Sequence, residues 1–448
     1  MFLKNVKLTA LAAALSALLA GASAAFAGPG ALEDIARFPQ EGSAYLPTEE
    51  TVPIADYVNQ VVYAEEYLRN HFAPWRNDDL SFLDITFDRI LQMHGSVAGK
   101  QYYTDGKTPF PRKSMEEIVK NGVIDVNEKP RPGIAILPAD VRVLPYGRPL
   151  YASKSAAEGA NGHLKLDILQ NSSLKPGEPL AIYGASRDSN WLFIVTGTVV
   201  GWVKAASVVM VDLDFMDIFT YSAKSVIAED NADVTDGAGN FMYNLKLGTV
   251  LPSEDGELML PVRGKNGMAS VMRFKPEAGV AEAFPIPFTP QNAVKAIDEM
   301  LGEPYGWGGA SGFRDCSAMT RDYFSLFGVW LPRNSAEQSV TGARISLKNI
   351  PSSGKNSVIV PSAVPFATLL HMPGHIMLYL GVYNGEPVVF HNTWGVRTNS
   401  GRVVVGQAVV TSLKLGSEIK DKPANSLLID RINSISFPMA DLRQTSER

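Results

Sequence analysis

Hydrophobic and polar positions follow different periods in different parts of the chain. Between residues 28 and 127 apolar side chains recur every three or four residues, and this period predicts helices near 52–72, 82–93 and 114–121. Ser114 and Glu117 have the spacing of a capping box at the start of the third helix. Residues 28–127 are therefore predicted to form an N-terminal helical domain, and they contain no catalytic pattern.

Short β-like runs separated by Gly, Pro, Asn and Asp replace the helical period from residue 128. Such runs are typical of small antiparallel barrels. In 128–212 the order G-E-P-L, S-x-D-x-x-W, G-W-V resembles bacterial SH3-like domains, in which Trp191 and Trp202 suit core packing and ligand contact equally well. Residues 213–287 are interpreted as a second, degenerate copy of this barrel.

Residues 288–448 contain both helical and strand patterns of hydrophobic positions. These patterns predict helices at 291–301 and 317–327, and strands at 376–382, 387–390, 403–410 and 427–435. Asn384-Gly385, between the first two strands, is a strong hairpin signal. Helices followed by an antiparallel sheet define an α+β fold. The predicted architecture is this α+β domain preceded by two small SH3-like barrels and a helical segment.

The first 27 residues have the form of a signal peptide. Lys4 and Lys7 precede an apolar run over 8–19, and the segment ends in Ala25-Phe26-Ala27, a small-x-small cleavage sequence. The apolar run is too short to cross a bilayer, and no other stretch reaches 18 apolar residues. We expect an exported, periplasmic or secreted protein without a stable membrane span after signal removal. A short membrane anchor is the alternative interpretation.

Composition excludes several classes of protein. The chain has 448 residues, 46% of them hydrophobic, and a net charge of -5. The hydrophobic share excludes wholesale disorder, and the acidic balance argues against nucleic acid as a partner. Cys316 is the only cysteine, so neither an internal disulfide nor a cysteine-rich metal site can form. With no metal-ligand cluster and no nucleotide-binding loop, we expect no cofactor and no metal.

Cys316 is predicted to open a helix, where backbone N–H groups and the helix dipole lower a thiol's pKa. His375 begins one strand of the predicted hairpin and His391 ends the other, so both lie at the same end, one as base and one as orienter. His371, in a loop before the strand, is a weaker candidate. The alternative is that Cys316 is an inert buried residue and His375 a core histidine.

The surrounding residues give this arrangement a family resemblance. The motif comprises Leu301-Gly302-Glu303-Pro304-Tyr305-Gly306-Trp307-Gly308-Gly309, then Asp315-Cys316-Ser317, Gly328, Leu331-Pro332-Arg333 with Gln338, and Gly374-His375-Ile376-Met377-Leu378-Tyr379-Leu380-Gly381. It is similar to the signature of the NlpC family of cell-wall cysteine peptidases and covers about the last third of the chain. The order of the preceding elements resembles a multidomain branch of that family, which cleaves between γ-D-glutamate and the diamino acid of peptidoglycan stem peptides.

The resemblance implies a papain-like fold, Cys316 as nucleophile, His375 as general base and His391 as the third polar residue. It further implies that Tyr305, Asp315 and Ser317 line substrate subsites. In that branch the equivalent of Asp315 helps to hold the free amino group of the substrate's L-alanine, and the first SH3-like domain closes that end. Ala318 departs from the family, which often has glycine there.

The implied partners are peptidoglycan stem peptides or muropeptides. Two other functions remain open at this stage. The same Cys/His layout serves acyltransferases and N-acetylmuramoyl amidases, because it fixes acyl transfer but not the acyl group. A non-catalytic protein that binds the cell wall through its barrels is the third hypothesis. The joint presence of Cys316, His375 and His391 argues against it.

Overall fold

The computed structural model describes residues 32–47, 52–76, 83, 87–105, 107–122, 124, 129–159, 162 and 164–439. The predicted signal peptide, residues 1–27, lies outside these ranges. Among the residues described, no helix is both long enough and apolar enough to cross a membrane.

The N-terminal part is helical, as predicted. Its helices are α1 (Glu33–Arg37), α2 (Tyr57–His71), α3 (Ala73–Arg76), α4 (Phe87–Ala98) and α5 (Arg112–Asn121), with a 3₁₀ turn at Gly42–Tyr45. Asp56 caps α2 by accepting a hydrogen bond from the Val58 N–H at 2.7 Å. The predicted capping box is wrong, because α5 begins at Arg112 after Pro111 and therefore contains Ser114 in its interior.

The first β region has seven strands, β1 (Arg131–Ala135), β2 (Ala139–Arg142), β3 (Gln170–Leu174), β4 (Pro179–Ala185), β5 (Trp191–Thr196), β6 (Val200–Lys204) and β7 (Val208–Met210), with α6 (Lys154–Glu158) after β2 and a 3₁₀ turn at Ala205–Ser207. The strands form one antiparallel sheet in the order β3-β2-β6-β5-β4-β1-β7. Trp202 is fully buried and packs on Phe193, and Trp191 is buried in the same cluster. Both tryptophans therefore belong to the core.

A second β region follows α7 (Leu213–Tyr221). Its strands are β8 (Lys224–Ile227), β9 (Ala232–Thr235), β10 (Phe241–Leu245), β11 (Val250–Glu254), β12 (Glu257–Arg263), β13 (Ala269–Phe274) and β14 (Ala281–Ala283). They form a five-stranded sheet, β13-β12-β11-β8-β14, and a two-stranded sheet, β10-β9. Val234, Leu245, Leu251 and Leu260 lie in the core that these sheets enclose.

The C-terminal part combines helices with a six-stranded sheet. The helices are α8 (Pro290–Met300), α9 (Cys316–Leu326), α10 (Ser335–Gln338), α11 (Ser352–Ser362) and α12 (Leu428–Arg431), with a 3₁₀ turn at Trp307–Gly312. The strands are β15 (Ala343–Ser346), β16 (Leu369–Met372), β17 (His375–Tyr383), β18 (Glu386–Arg397), β19 (Arg402–Ser412) and β20 (Ser434–Phe437). Their order is β15-β20-β16-β17-β18-β19, and every pair is antiparallel. The predicted α+β class is confirmed.

Two local predictions in this region are wrong. Residues 427–435 do not form one strand, because Leu428–Arg431 is a helical turn that Asp430 closes by accepting from the Leu427 N–H at 3.1 Å. His371 lies in β16 rather than in a loop. A short apolar run does not distinguish a strand from a buried helical turn, and this ambiguity accounts for the first error.

Helix α9 packs against β17 and β18, and this contact positions the site. Tyr323 and Phe324 of the helix share one buried cluster with Leu378 and Phe390 of the strands. Each of these side chains contributes about 1.5–3 kcal/mol by leaving water. The first residue of α9, Cys316, belongs to the same cluster and contacts the backbone N–H of Ile376, the second residue of β17.

Candidate active site

Cys316 occupies the first turn of α9, as the sequence predicts. Asp315 caps the helix, accepting a hydrogen bond from the Ala318 N–H at 2.9 Å. The preceding turn bends sharply because Gly308 and Gly309 have φ values of 59° and 80°, a region that L side chains avoid. The Gly308 N–H donates to Asp315 at 3.1 Å, so the turn and the helix cap share one carboxylate.

His375 and His391 are hydrogen-bonded to each other. The register Leu378↔Phe390 makes them diagonal neighbours on β17 and β18, and His375 Nε2 lies 2.8 Å from His391 Nδ1. The sequence placed His391 at the end of its strand, whereas β18 continues to Arg397. The predicted pairing nevertheless holds, because the hairpin register and not the length of the strand determines which side chains meet.

Thr411 determines which ring nitrogens carry protons. Its hydroxyl donates to the Ser412 carbonyl at 3.0 Å, so it accepts from the Nε2–H of His391, also at 3.0 Å. Burial, with His375 nearby, holds the pKa of His391 well below its usual value, so this ring is neutral and its Nδ1 accepts from the Nε2–H of His375. His375 is left with an unprotonated Nδ1 that can accept a proton.

The nucleophile candidate and the base candidate are both uncharged at neutral pH. Burial, with a further contribution from Asp315, raises the pKa of the Cys316 thiol to about 12, although the N–H groups of Ile376 and Ser317 oppose this rise. Burial, with Arg431 and His371, lowers the pKa of His375 to about 4. The expectation that the helix N-terminus lowers the pKa of Cys316 is wrong, because burial and the adjacent carboxylate outweigh it.

Asp315 and Ser317 adjoin Cys316 and are both held by Arg333. Arg333 Nη1 and Nη2 donate to the two oxygens of Asp315 at 3.0 and 2.7 Å, and Nη1 also donates to Ser317 Oγ at 2.9 Å. Ser317 Oγ in turn donates to Asp315 at 3.2 Å. Burial opposes the charge on Asp315, but Arg333 and the backbone N–H groups outweigh burial and lower the pKa of Asp315.

Tyr305 lies on the same side of the domain. Its backbone N–H donates to the Gly406 carbonyl at 2.8 Å, and its ring contacts Trp394 with ring centres 6.2 Å apart. Burial, together with Cys316 and Asp315, raises the pKa of the phenol. The structure therefore brings all the predicted site residues together around Cys316.

The first β region contacts the turn that precedes the nucleophile. Gln170 Nε2 donates to the Gly308 carbonyl at 3.0 Å, and Ser172 Oγ accepts from Arg333 Nε at 2.8 Å. A Cβ on Gly309 would lie 2.3 Å from Ser173 Oγ, so only glycine permits this approach. Strand β3 thus braces both the turn and the arginine that holds Asp315.

Arg333, Thr411 and Arg314 have roles in the structure that no pattern in the sequence predicts. Arg314 is 3% exposed and donates to Asp322, Glu303 and Asp230 at 2.7, 3.0 and 2.7 Å. It thereby ties the loop before Cys316 to the second β region. Arg333 belongs to the family motif, and this is the only feature of the sequence that marks it as a functional residue. No feature of the sequence marks Thr411. Within the described ranges, no group of His, Cys, Asp and Glu side chains is arranged to hold a metal ion.

Comparison with protein families identifies three segments of the chain. Residues 9–126 match the N-terminal NLPC_P60 stabilising domain, 149–204 match an SH3 domain of the SH3b1 type, and 302–408 match the NlpC/P60 family. The chain therefore combines an NlpC/P60 domain with an SH3 domain and an N-terminal NLPC_P60 stabilising domain. The papain-like fold expected from the resemblance is confirmed for its C-terminal part.

Individual relatives agree with this assignment. A probable endopeptidase of Corynebacterium glutamicum, Cgl2188, is 29% identical over 117 residues, which are 26% of this chain and 48% of the relative. The match thus spans about half the length of that protein, as it does for a second probable endopeptidase from the R strain. The solved structure of an NlpC/P60 endopeptidase from Photobacterium damselae subsp. piscicida superimposes with a TM-score of 0.80 at 23% identity. It covers 90% of this chain and 98% of its own, and shows that the two share a fold.

Proposed function

We propose that the protein is a cysteine endopeptidase that hydrolyses the γ-D-glutamyl–diamino acid bond of peptidoglycan stem peptides or muropeptides. The observation that carries this proposal is the hydrogen-bonded series Thr411–His391–His375, which leaves His375 Nδ1 unprotonated, together with the contact between Cys316 and the backbone N–H of Ile376, the residue after His375. The description of relatives as endopeptidases and the family match over 302–408 support it. The predicted signal peptide supports an exported location, periplasmic or secreted.

In the proposed reaction His375 Nδ1 takes the proton of the Cys316 thiol as the sulfur attacks the γ-carbonyl carbon. The backbone N–H groups at the start of α9 are positioned to stabilise the oxyanion that forms. Its collapse breaks the carbon–nitrogen bond, and His375 gives its proton to the departing amine. Water, deprotonated by His375, then attacks the thioester and releases the γ-glutamyl product from Cys316.

Each remaining residue has a proposed role in this scheme. His391 and Thr411 hold the ring of His375 in the tautomer that accepts the thiol proton. Tyr305, Asp315 and Ser317 are proposed to line the substrate subsites, with Asp315 facing the amino group of the L-alanine. We further propose that the chain divides into a helical domain at 28–127, SH3-like domains at 128–212 and 213–287, and the peptidase domain at 288–448.

Digestion of L-Ala-γ-D-Glu-diamino acid peptides, followed by mass spectrometry, tests the proposal. We expect wild type to release the free diamino acid and Cys316→Ala to release none. Equal cleavage by both proteins, or no cleavage by wild type, contradicts it. On a complete muropeptide, release of the intact stem peptide from the sugar would instead indicate an amidase. A requirement for the free amino group would appear as loss of cleavage when the alanine is acetylated.

A further inference from the structure

Three exposed arginines of the C-terminal part have no acidic partner among the residues described. Arg397 of β18 and Arg402 of β19 lie directly opposite each other, and Arg431 ends α12. None of them forms an ion pair with a described carboxylate, whereas Arg314 and Arg333 do. Like charges directly opposite in an antiparallel pair are destabilising. Among the residues that the structure describes, no carboxylate offsets this repulsion.

Arg402 and Arg431 are close to the catalytic candidates. Arg431 donates to the Pro373 carbonyl at 3.4 Å, two residues before His375, and its charge lowers the pKa of His375. Arg402 donates to the carbonyl of Gly395, the residue after Trp394, and the ring of Trp394 contacts Tyr305. The two arginines therefore flank the site, Arg431 on the side of His375 and Arg402 on the side of Tyr305, and their charges influence each other.

The hairpin that carries Arg402 is held in place by the first β region. Trp394 Nε1 donates to the Gly162 carbonyl at 2.8 Å, and a Cβ on Gly162 would lie 2.4 Å from the carbonyl oxygen of Arg402. Arg402 Nη1 also donates to the Gly395 carbonyl at 3.2 Å. These contacts fix the backbone beneath the arginine, so its guanidinium is presented from a braced strand rather than from a free loop.

We propose that Arg402 and Arg431 together bind the carboxylate of the leaving diamino acid. The inference rests on the proposed function, in which His375 protonates the departing amine, and Arg431 is the arginine beside His375. In a substrate that ends at the diamino acid, a carboxylate lies one carbon from that amine. The planar donors of two guanidinium groups suit a carboxylate better than a neutral amide. The site would therefore favour trimmed stem peptides, in which this carboxylate is free, over extended ones.

Matched peptides separate this inference from the proposed function. The substrates are L-Ala-γ-D-Glu-L-Lys with a free C-terminal carboxylate and the same peptide as its C-terminal amide. We expect wild type to cleave the acid with a kcat/KM at least about tenfold higher, because hydrogen bonds to a charged group are the stronger ones. Arg402→Gln and Arg431→Gln are each expected to lower the ratio of kcat/KM for the acid to kcat/KM for the amide towards one. Arg344→Gln, which removes one positive charge from β15, serves as the control and should keep the wild-type ratio.

Equal cleavage of acid and amide by wild type overturns the inference while leaving the proposed function intact. The same holds if Arg344→Gln reduces the ratio as much as Arg402→Gln does. Absence of any cleavage contradicts the proposed function instead. In that event the affinities of the two peptides for Cys316→Ala, measured by calorimetry, still show whether the protein prefers the free carboxylate. Equal affinities, or no binding of either peptide, overturn the inference.

Discussion

Replacing Arg333 by methionine removes a buried guanidinium and leaves a side chain of comparable length. Arg333 and Asp315 are 4% and 6% exposed, so solvent screens their attraction very little. In the variant, Asp315 keeps its hydrogen bonds from Gly308, Ser317 and Ala318 but loses both contacts to the guanidinium. A buried carboxylate is then left without a compensating charge beside Cys316.

Removing one partner of a buried ion pair costs about 3–5 kcal/mol of folding free energy. For a unit of about 150–250 residues, each kcal/mol shifts the melting temperature by about 2–4 °C. The transition that reports the C-terminal part should therefore fall by roughly 6–20 °C. Arg321→Met is the matched control, because the nearest contact of Arg321 to Asp322 is 3.4 Å and Asp322 keeps Arg314 and Lys175 as partners.

The loss should also depend on pH in a defined direction. Arg333 lowers the folded-state pKa of Asp315, so the stability it provides is present above the unfolded value of 3.8 and is lost as pH falls through the folded value. In Arg333→Met burial acts unopposed by this charge and raises the pKa of Asp315, which then protonates at less acidic pH. The difference between wild type and variant should be largest at pH 7 and shrink towards pH 4. Calorimetric scans at both pH values measure it. A fall no greater than that of Arg321→Met, or a difference that grows in acid, refutes the reasoning.

Three further predictions concern the site. Thr411→Val removes the acceptor of the His391 Nε2–H, and an unpaired buried donor costs about 1–3 kcal/mol, so kcat should fall by about 5–150-fold. Thr411→Ser should retain activity, and equal rates for the two variants contradict the tautomer assignment. Gly309→Ala should lower the melting temperature and kcat/KM more than Gly312→Ala does, since both have positive φ but only Gly309 abuts Ser173; similar losses would show that the contact with β3 is unimportant. Because the pKa of His375 is about 4, this base stays neutral through mildly acidic pH, so the acid limb of kcat/KM should lie near pH 4; a limb near 6.5 contradicts it.

The geometry of the histidine pair could be predicted because it depends on a local signal. The Asn384-Gly385 turn joins β17 and β18 as an antiparallel hairpin, and His375 and His391 remain diagonal neighbours although a bulge interrupts the pairing between Tyr379 and Gly381. Thr411 could not be found in the same way, because the connection over 398–401 between β18 and β19 contains no Asn-Gly turn and the predicted strand ends at residue 410.

The pKa values of the site residues depend on long-range packing, so they could not be predicted from the sequence. The sequence predicts the position of Cys316 at a helix start, but the predicted direction of its pKa shift is wrong, because that direction depends on burial among α9, β17 and the turn before it. Arg333 acquires its role by contacting Ser172 of another region as well as Asp315. The interval between 172 and 333 contains no pattern that indicates this contact.

Cleavage of two isomeric peptides tests the central claim most directly. L-Ala-D-Glu-L-Lys is prepared with either the γ-carboxyl or the α-carboxyl of glutamate in the amide, and wild type and Cys316→Ala are each incubated with both. We expect wild type to release free lysine from the γ-linked peptide alone, and Cys316→Ala to release it from neither. Release from the α-linked isomer at a comparable rate, or persistence of cleavage in Cys316→Ala, would contradict a γ-glutamyl cysteine peptidase.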